Sequence, residues 1–304
     1  MHRKIKIILN PMADMGNAWR AARDLRSITE EHGGIEWSGT VYPGHAIDLA
    51  KSSEGYDMVI AMGGDGTVHE VMNGLMRIPA DKRPILGVVP VGSGNDFAHG
   101  IGASIKPTEA LSRAINGEPS TVDLGLMTDE NGRKEYFDNT LGIGFGAMVT
   151  INSHKLPLLR GFLMYLVSVL QTIIIDHNPI KMQIDVDGKK FEDNVIYLIL
   201  CNGPREGGGF HVAPDAKIDD GILNYAMIAN VGRLMMFRIV PEVMNGTHGR
   251  FKQVTLDTCK KFTLSADRPL YIHADGEIFS GPGTNIRKVS FEVLPNALKV
   301  VRGK

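Results

Sequence analysis

Met58-Val-Ile-Ala-Met-Gly-Gly-Asp-Gly-Thr67 runs an apolar segment straight into three glycines and an acid. Residues 58–62 read as a fully buried strand, broken by the double glycine, with a helix expected over 68–76. Glycines at such a turn let the backbone approach an anion closely and adopt positive φ. The helix start adds unpaired N–H groups and a favourable dipole. Asp65 cannot hold a bare phosphate by charge. It implies a cation, Mg²⁺ by preference, or an orienting acceptor, although Asp is also a common N-cap.

Outward from this turn the first 120 residues alternate strand and helix. Strands are expected at 5–9, 36–42 and 85–89, and helices at 18–31, 45–52 and 108–116. In the first helix Trp19, Ala22, Leu25 and Ile28 share one face. Apolar runs without alternation, separated by helices, predict a parallel Rossmann-like sheet covered on both sides. Ligands bind beyond the carboxyl ends of such strands. Residues 10–17, 63–69 and 91–97 are the loops at that edge. The third, Pro90-Val-Gly-Ser-Gly-Asn-Asp-Phe97, again places glycines and polar side chains after a strand.

The pattern changes near Val122. Short strands follow, at 122–126, 134–139, 180–186, 195–201, 222–228, 253–257, 261–265, 270–274 and 289–294. Several alternate with period two and lead into turns such as Asp187-Gly188, which predicts an antiparallel β-sandwich. One helix interrupts it, with Leu159, Phe162, Leu163, Leu166, Val169, Leu170 and Ile173 at helical spacing. It is apolar on more than one side, which suits burial against the sandwich, or a lid or membrane-facing element with Lys155 and Arg160 toward headgroups. The division expected is 1–121, joined by 296–304, and 122–295.

Composition is that of a globular chain: 304 residues, 43% hydrophobic, 22% charged, 35 glycines and a net charge of -1. That balance argues against a nucleic-acid partner. Cys201 and Cys259 lack metal-type spacing and read as reduced thiols, the ten histidines are scattered, and no leader peptide or spanning segment is expected. A cytoplasmic protein is the expectation.

Gly63-Gly-Asp-Gly-Thr67, Glu70 and Asn73-Gly74, followed by Gly92-Ser-Gly-Asn-Asp-Phe-Ala98, resemble the bacterial diacylglycerol-kinase-like lipid kinases. Phe137-Asp-Asn-Thr-Leu-Gly-Ile-Gly-Phe145 is similar to that family's glycine-rich strand. Asn202-Gly203, Gly207-Gly-Gly209 and Pro214-Asp-Ala-Lys-Ile-Asp-Asp-Gly-Ile-Leu223 are similar to its central block, and Asp275-Gly276-Glu277 to its late acidic motif. The resemblance runs from Asn10 to about Val301. It implies an α/β nucleotide-binding domain and an antiparallel β-sandwich domain, with the active site in the cleft between them.

It further implies transfer of a γ-phosphoryl group from ATP to a lipid hydroxyl at a membrane surface, by a protein peripheral to that membrane. Glu277 is the implied proton acceptor, with Asp275 beside it and Asp65 orienting the metal-bound nucleotide. Asn10, Pro11, Thr40, Gly63, Gly64, Asp65, Gly66, Thr67, His69, Gly92, Ser93, Asn95 and Asp96 are the implied nucleotide contacts. Asp220 with the carbonyls of Lys217 and Ile222 is the implied Mg²⁺ set, apart from any Mg²⁺ that travels with ATP. Read locally, Asp275-Gly276 and Asp220-Gly221 are ordinary turns.

The first loop departs from the family pattern, because Asp14 stands where glycine is common and no basic residue precedes Arg20. Asp14 keeps open a non-catalytic nucleotide- or lipid-binding protein, and the shared Gly-Gly-Asp-Gly turn and two-domain plan keep open an NAD kinase. A homodimer is compatible with the sequence.

Overall fold

The computed structural model describes residues 3–33, 35–156 and 158–303. It divides into two compact units, one holding the chain up to Asp123 and again from Asn296, the other Leu124–Pro295.

Unit 1 begins with β1 (Ile5–Leu9), α1 (Asn17–Asp24) and α2 (Arg26–His32). β2 (Ile35–Gly39), α3 (His45–Lys51), β3 (Met58–Gly63) and α4 (Asp65–Leu75) follow. β4 (Ile85–Pro90), α5 (Asp96–Gly100) and α6 (Pro107–Asn116) complete it. The strands pair in parallel in the order β2-β1-β3-β4, with Ile7 opposite both Trp37 and Ile60. Val300, near the end of the chain, pairs in parallel with Leu86 of β4.

Helices on both faces explain why β1 and β3 read as continuous apolar runs. Ile5, Ile7, Leu9, Met58, Ile60 and Met62 pack with Ala18, Leu25, Leu111 and Ala114. On the opposite face α3 crosses β1, where Lys6 Nζ donates to the Leu49 carbonyl at 3.4 Å.

Two local expectations need correction. The helix expected over 18–31 is broken at Leu25, and a 3-10 turn, Ala13–Gly16, precedes it. Its packed face is Ala18, Ala21, Ala22, Leu25 and Ile28. Trp19 sits one position, about 100°, round the helix from Ala18 and is 66% exposed. The helix after the double glycine starts at Asp65 and not Val68, so the glycine turn already belongs to its first turn.

α4 and α3 meet through Gly74. A Cβ there would lie 2.4 Å from the Ile47 carbonyl oxygen and 2.6 Å from Ala50 Cβ. Glu70 fastens the same contact, accepting the N–H groups of Gly44 at 2.8 Å and Ala46 at 3.1 Å at the start of α3. The Glu70 and Asn73-Gly74 signature thus builds a helix pair.

Unit 2 runs through β5 (Pro119–Asp129, shared with unit 1), β6 (Lys134–Phe137) and β7 (Thr140–Gly144) to α7 (Phe145–Ser153) and α8 (Gly161–Ile175). Next come β8 (Ile180–Val186), β9 (Lys189–Cys201), β10 (Leu223–Ala229) and α9 (Arg233–Asn245). β11 (Val254–Cys259), β12 (Lys261–Ala266), β13 (Ile272–Ala274), β14 (Glu277–Ser280) and β15 (Lys288–Val301) end the chain. Pairing is antiparallel along β14-β13-β7-β9-β8-β12-β15, with β10 joining β9 to β11.

β8 alternates as expected, with Ile180, Met182, Ile184 and Val186 buried and Lys181 and Gln183 exposed. β9 does not alternate over 195–201, because both its faces are covered. Leu198 and Leu200 enter the core between the sheet layers. Tyr197, Ile199 and Cys201 pack under α7, α8 and α9. Cys201 and Cys259 are buried, and neither is in a disulfide.

The sequence predicts one helix in this half, and the described residues form three α-helices. The glycine-rich strand stops at Gly144, whose φ of 71° and ψ of -112° suit glycine alone, and α7 begins at Phe145. α9 carries Pro241 in its interior, which conceals it from propensity arguments. α8 buries Ser168, Val169, Thr172 and Ile173 while Leu163, Leu170, Ile174 and Ile175 are exposed, so it is seated on the sheet by one face only. No helix of the described residues is long and apolar enough to cross a membrane.

Gly74→Ala should destabilise the protein by about 2–3 kcal/mol, because the α3 backbone must give way. Gly39→Ala, with no atom within 4 Å and an ordinary φ, should stay within roughly 0.5 kcal/mol. Equal denaturant midpoints for the two variants would contradict the α3–α4 packing.

Candidate functional site

The strand ends of unit 1 line up through backbone bonds that continue past the sheet. Thr40 N–H reaches the Leu9 carbonyl at 2.8 Å, Asn10 N–H that of Met62 at 3.0 Å, and Val91 N–H that of Gly63 at 2.9 Å. Asn10, Thr40, Gly63–Thr67 and Gly92–Asp96 are thereby gathered at the carboxyl edge of the parallel sheet, where α/β folds bind ligands.

Contact, and not positive φ, demands the glycines here. A Cβ on Gly92 would lie 2.4 Å from Gly64 Cα, one on Gly63 2.2 Å from Thr67 Oγ1, and one on Gly94 2.7 Å from Asp65 Oδ2. None of these four residues has a left-handed φ. The positive φ expected of the first turn is absent, since Gly64 is extended at φ -90°. It occurs instead at Asn95, φ 54°. Asn95 closes the second loop on itself, accepting Gly92 N–H at 3.1 Å and donating to the Gly92 carbonyl at 2.8 Å.

Asp65 joins the two loops. Its Oδ1 accepts Asp96 N–H at 2.7 Å, with the amides of Asn95 and Phe97 also directed at the carboxylate. Burial and the nearby Asp96 carboxylate push the Asp65 carboxyl up to about 7. Asp65 therefore caps α5 and not its own helix. No side chain caps α4, which leaves that helix start open to an anion. Ser93 stands exposed at the tip of the second loop.

His69 lies elsewhere. It is buried on α4, with Nε2 3.3 Å from Asn73 Nδ2. Asp14 sits in the 3-10 turn with φ 47°, and its Oδ2 accepts a bond from Asn17 Nδ2 at 2.8 Å. Its charge is thus partly engaged at the start of α1. Pro11 is half-buried in the same loop.

In unit 2 Asp275 has φ 49° and Gly276 φ 85°, the primed turn that joins β13 to β14. Asp275 Oδ1 accepts Asn139 N–H at 3.0 Å and Thr140 N–H at 2.9 Å, while Oδ2 accepts Asp138 N–H at 3.0 Å. This buried carboxylate fixes the turn between β6 and β7. Asn202 braces the same turn, Nδ2 donating to the Asp138 carbonyl at 2.9 Å. Glu277, the first residue of β14, is exposed.

Lys217, Asp220 and Ile222 share one loop before β10. Asp220 is exposed, and its Oδ1 accepts Ile222 N–H at 3.3 Å. Among the described residues no group of three or more His, Cys, Asp or Glu could hold a metal. A cation here would rest on one carboxylate plus main-chain oxygens, a donor set that fits a hard ion such as Mg²⁺.

Sequence reasoning missed a polar pair beneath Asp275. Glu206 and His273 are both buried, with His273 Nε2 3.1 Å from Glu206 Oε1. Burial pushes Glu206 up to about 7 and His273 down to about 4. Gly142 makes room for the ring, because a Cβ there would be 2.1 Å from His273 Nε2. The available signal was an acid directly ahead of Gly207-Gly208-Gly209.

Residues 4–127 match the diacylglycerol kinase catalytic domain, and residues 139–302 match the YegS C-terminal NAD kinase beta sandwich-like domain. A probable lipid kinase YegS-like protein of Yersinia pestis (strain Pestoides F) is 31% identical over 276 residues, 90% of this chain and 84% of the relative. One from Chromohalobacter salexigens is 37% identical over 217 residues, 69% of this chain and 66% of that relative's length. A putative diacylglycerol kinase from Bacillus anthracis str. Sterne has the same fold, with a TM-score of 0.79 at 22% identity over 99% of this chain and 96% of that one. The chain belongs to the diacylglycerol-kinase-like, YegS-type lipid kinase family.

Asp65 holds its proton to a higher pH folded than unfolded, so its stabilising contribution is complete below about 3.8 and is lost as pH rises through about 7. With divalent cations chelated, Asp65→Asn should gain stability relative to wild type between pH 5 and 7.5, by up to about 1.4 kcal/mol per pH unit. Parallel thermal-melting profiles for the two proteins would show that burial and Asp96 do not raise the Asp65 carboxyl.

Proposed function

We propose that this protein transfers the γ-phosphoryl group of ATP to the hydroxyl of a membrane lipid, with diacylglycerol or a related lipid as acceptor. The observation that carries this reading is the edge of unit 1, where two glycine loops in contact flank an uncapped helix start. Main-chain N–H groups at α4 and the exposed Ser93 hydroxyl suit the polyphosphate, and Asn10 and Thr40 the neighbouring parts of the nucleotide.

Mg²⁺ supplies charge neutralisation of the phosphates when bound. Asp65 orients the metal-bound nucleotide, since Asp65 and Asp96 are two carboxylates that a cation would relieve. Asp220, with the carbonyls of Lys217 and Ile222, suits a second, structural ion. The lipid oxygen attacks the γ-phosphorus as its bond to the β–γ bridging oxygen breaks and ADP leaves. Glu277, exposed at the start of β14, accepts the hydroxyl proton, and Asp275 positions it by locking the turn that both residues share.

α8 favours a lipid over a soluble acceptor. Its outer face shows Leu163, Leu170, Ile174 and Ile175, and Arg160 and Arg233 are exposed at the starts of α8 and α9. An apolar stripe with basic flanks suits the interface of an anionic membrane, which the protein would meet peripherally.

Glu277→Gln should lower kcat by at least about 100-fold and leave nucleotide binding unchanged, as loss of a general base requires. Retained turnover would refute the base. Labelled ATP offered with diacylglycerol, sphingosine, phosphatidylglycerol and NAD should label a lipid. Labelling of NAD alone would overturn the lipid acceptor.

A further inference from the structure

Beneath α8, unit 2 holds a cavity of about 450 Å³, its open mouth included. α7 contributes Phe145 and Val149 to its wall, α8 Tyr165 and Val169, and α9 Met236 and Val240. One residue in this apolar wall is out of character, and it is Glu206.

The chain goes to some length to keep Glu206 there. The loop after it is pressed onto α8, since a Cβ on Gly207 would lie 2.5 Å from the Tyr165 ring and one on Gly209 2.7 Å from the Phe162 ring. Thr140 Oγ1 donates to Glu206 Oε1 at 3.4 Å, and Tyr165 also hydrogen-bonds the carboxyl. Behind it stands His273, held in the space left by Gly142. Oε2 has no hydrogen-bond partner among the described residues.

Burial favours neutral Glu206 and neutral His273. A neutral carboxyl can donate as well as accept. A chamber meant only for hydrocarbon has no use for such a group, and leaving it unpaired costs about 1–3 kcal/mol. A guest chain carrying an acceptor oxygen would recover that cost.

We propose that this cavity takes a single acyl chain and that Glu206 is its specificity-determining group, donating a hydrogen bond to the carbonyl oxygen at the head of the chain. His273 is a positioning residue that keeps the carboxyl in the wall. The proposal rests on the lipid-kinase reading for the class of ligand. The carbonyl belongs either to an ester of a glycerolipid or to a free fatty acid.

Binding to the full chain without nucleotide tests this. 1-Oleoylglycerol, oleic acid and 1-octadecene would each displace a fluorescent acyl probe. Wild type should bind 1-oleoylglycerol about tenfold more tightly than octadecene, the preference one recovered hydrogen bond gives. Oleic acid matching the glyceride would assign a free acid as the source, and weaker binding would assign the ester.

Glu206→Leu should erase the tenfold preference while octadecene still binds, and Glu206→Gln, which keeps a donor, should retain it. Val149→Trp fills the cavity and should weaken all three ligands. A preference that survives Glu206→Leu, or binding indifferent to Val149→Trp, would overturn the proposal. Phosphoryl transfer to lipid by a protein that binds no acyl probe would refute this inference alone. Acyl binding without transfer would refute the kinase reading alone.

Discussion

A carboxylate that accepts three consecutive backbone N–H groups organises one loop cluster in each unit. Asp65 takes the amides of Asn95, Asn95's neighbour Asp96, and Phe97. Asp275 takes those of Asp138, Asn139 and Thr140. Each acid leaves a strand end, crosses to an adjacent loop and fixes three successive peptide planes. When the acid is ionised such bonds are charge-assisted and roughly twice as strong as neutral ones. These loops are therefore held by side chains that face inward, and the groups left facing outward are main-chain amides, Ser93 and Glu277.

This arrangement gives the glycines a different meaning. Gly64 and Gly92 are small because two loops touch there, and Gly74 because two helices do. Gly207 and Gly209 admit the rings of Tyr165 and Phe162. Much of the glycine-rich signature records how closely elements must approach before a ligand arrives. The phosphate site proposed here would be a by-product of that closeness, since loops stripped of side chains also expose their N–H groups.

The parallel sheet of unit 1 was legible because Ile5–Leu9 and Met58–Gly63 are apolar on both faces, a pattern few other settings produce. The alternating strands of unit 2 were legible for the complementary reason. α7 was hidden because Gly142, Gly144 and Gly146 make its start look like more strand, and α9 because Pro241 interrupts it. The loop residues at the sheet edge could be found from motifs, whereas the burial of His69 could not, since it follows from which side of α4 meets the core. Glu206 and His273 lie 67 positions apart, and only the pairing of β7 with β9 and β13 brings them together.

β9 belongs to two hydrophobic clusters at once, Leu198 and Leu200 to one, Ile199 and Cys201 to the other. It is also paired along both edges, with β7 and β10 on one part of its length and β8 on another. Neither cluster can open without exposing part of this strand. The amide hydrogens of residues 195–201 should then be among the last in unit 2 to exchange with solvent, and their rate would report the cooperative unfolding of the whole unit. A chamber beneath α8 can consequently breathe only by moving helices, because the floor on which they rest is tied into both clusters.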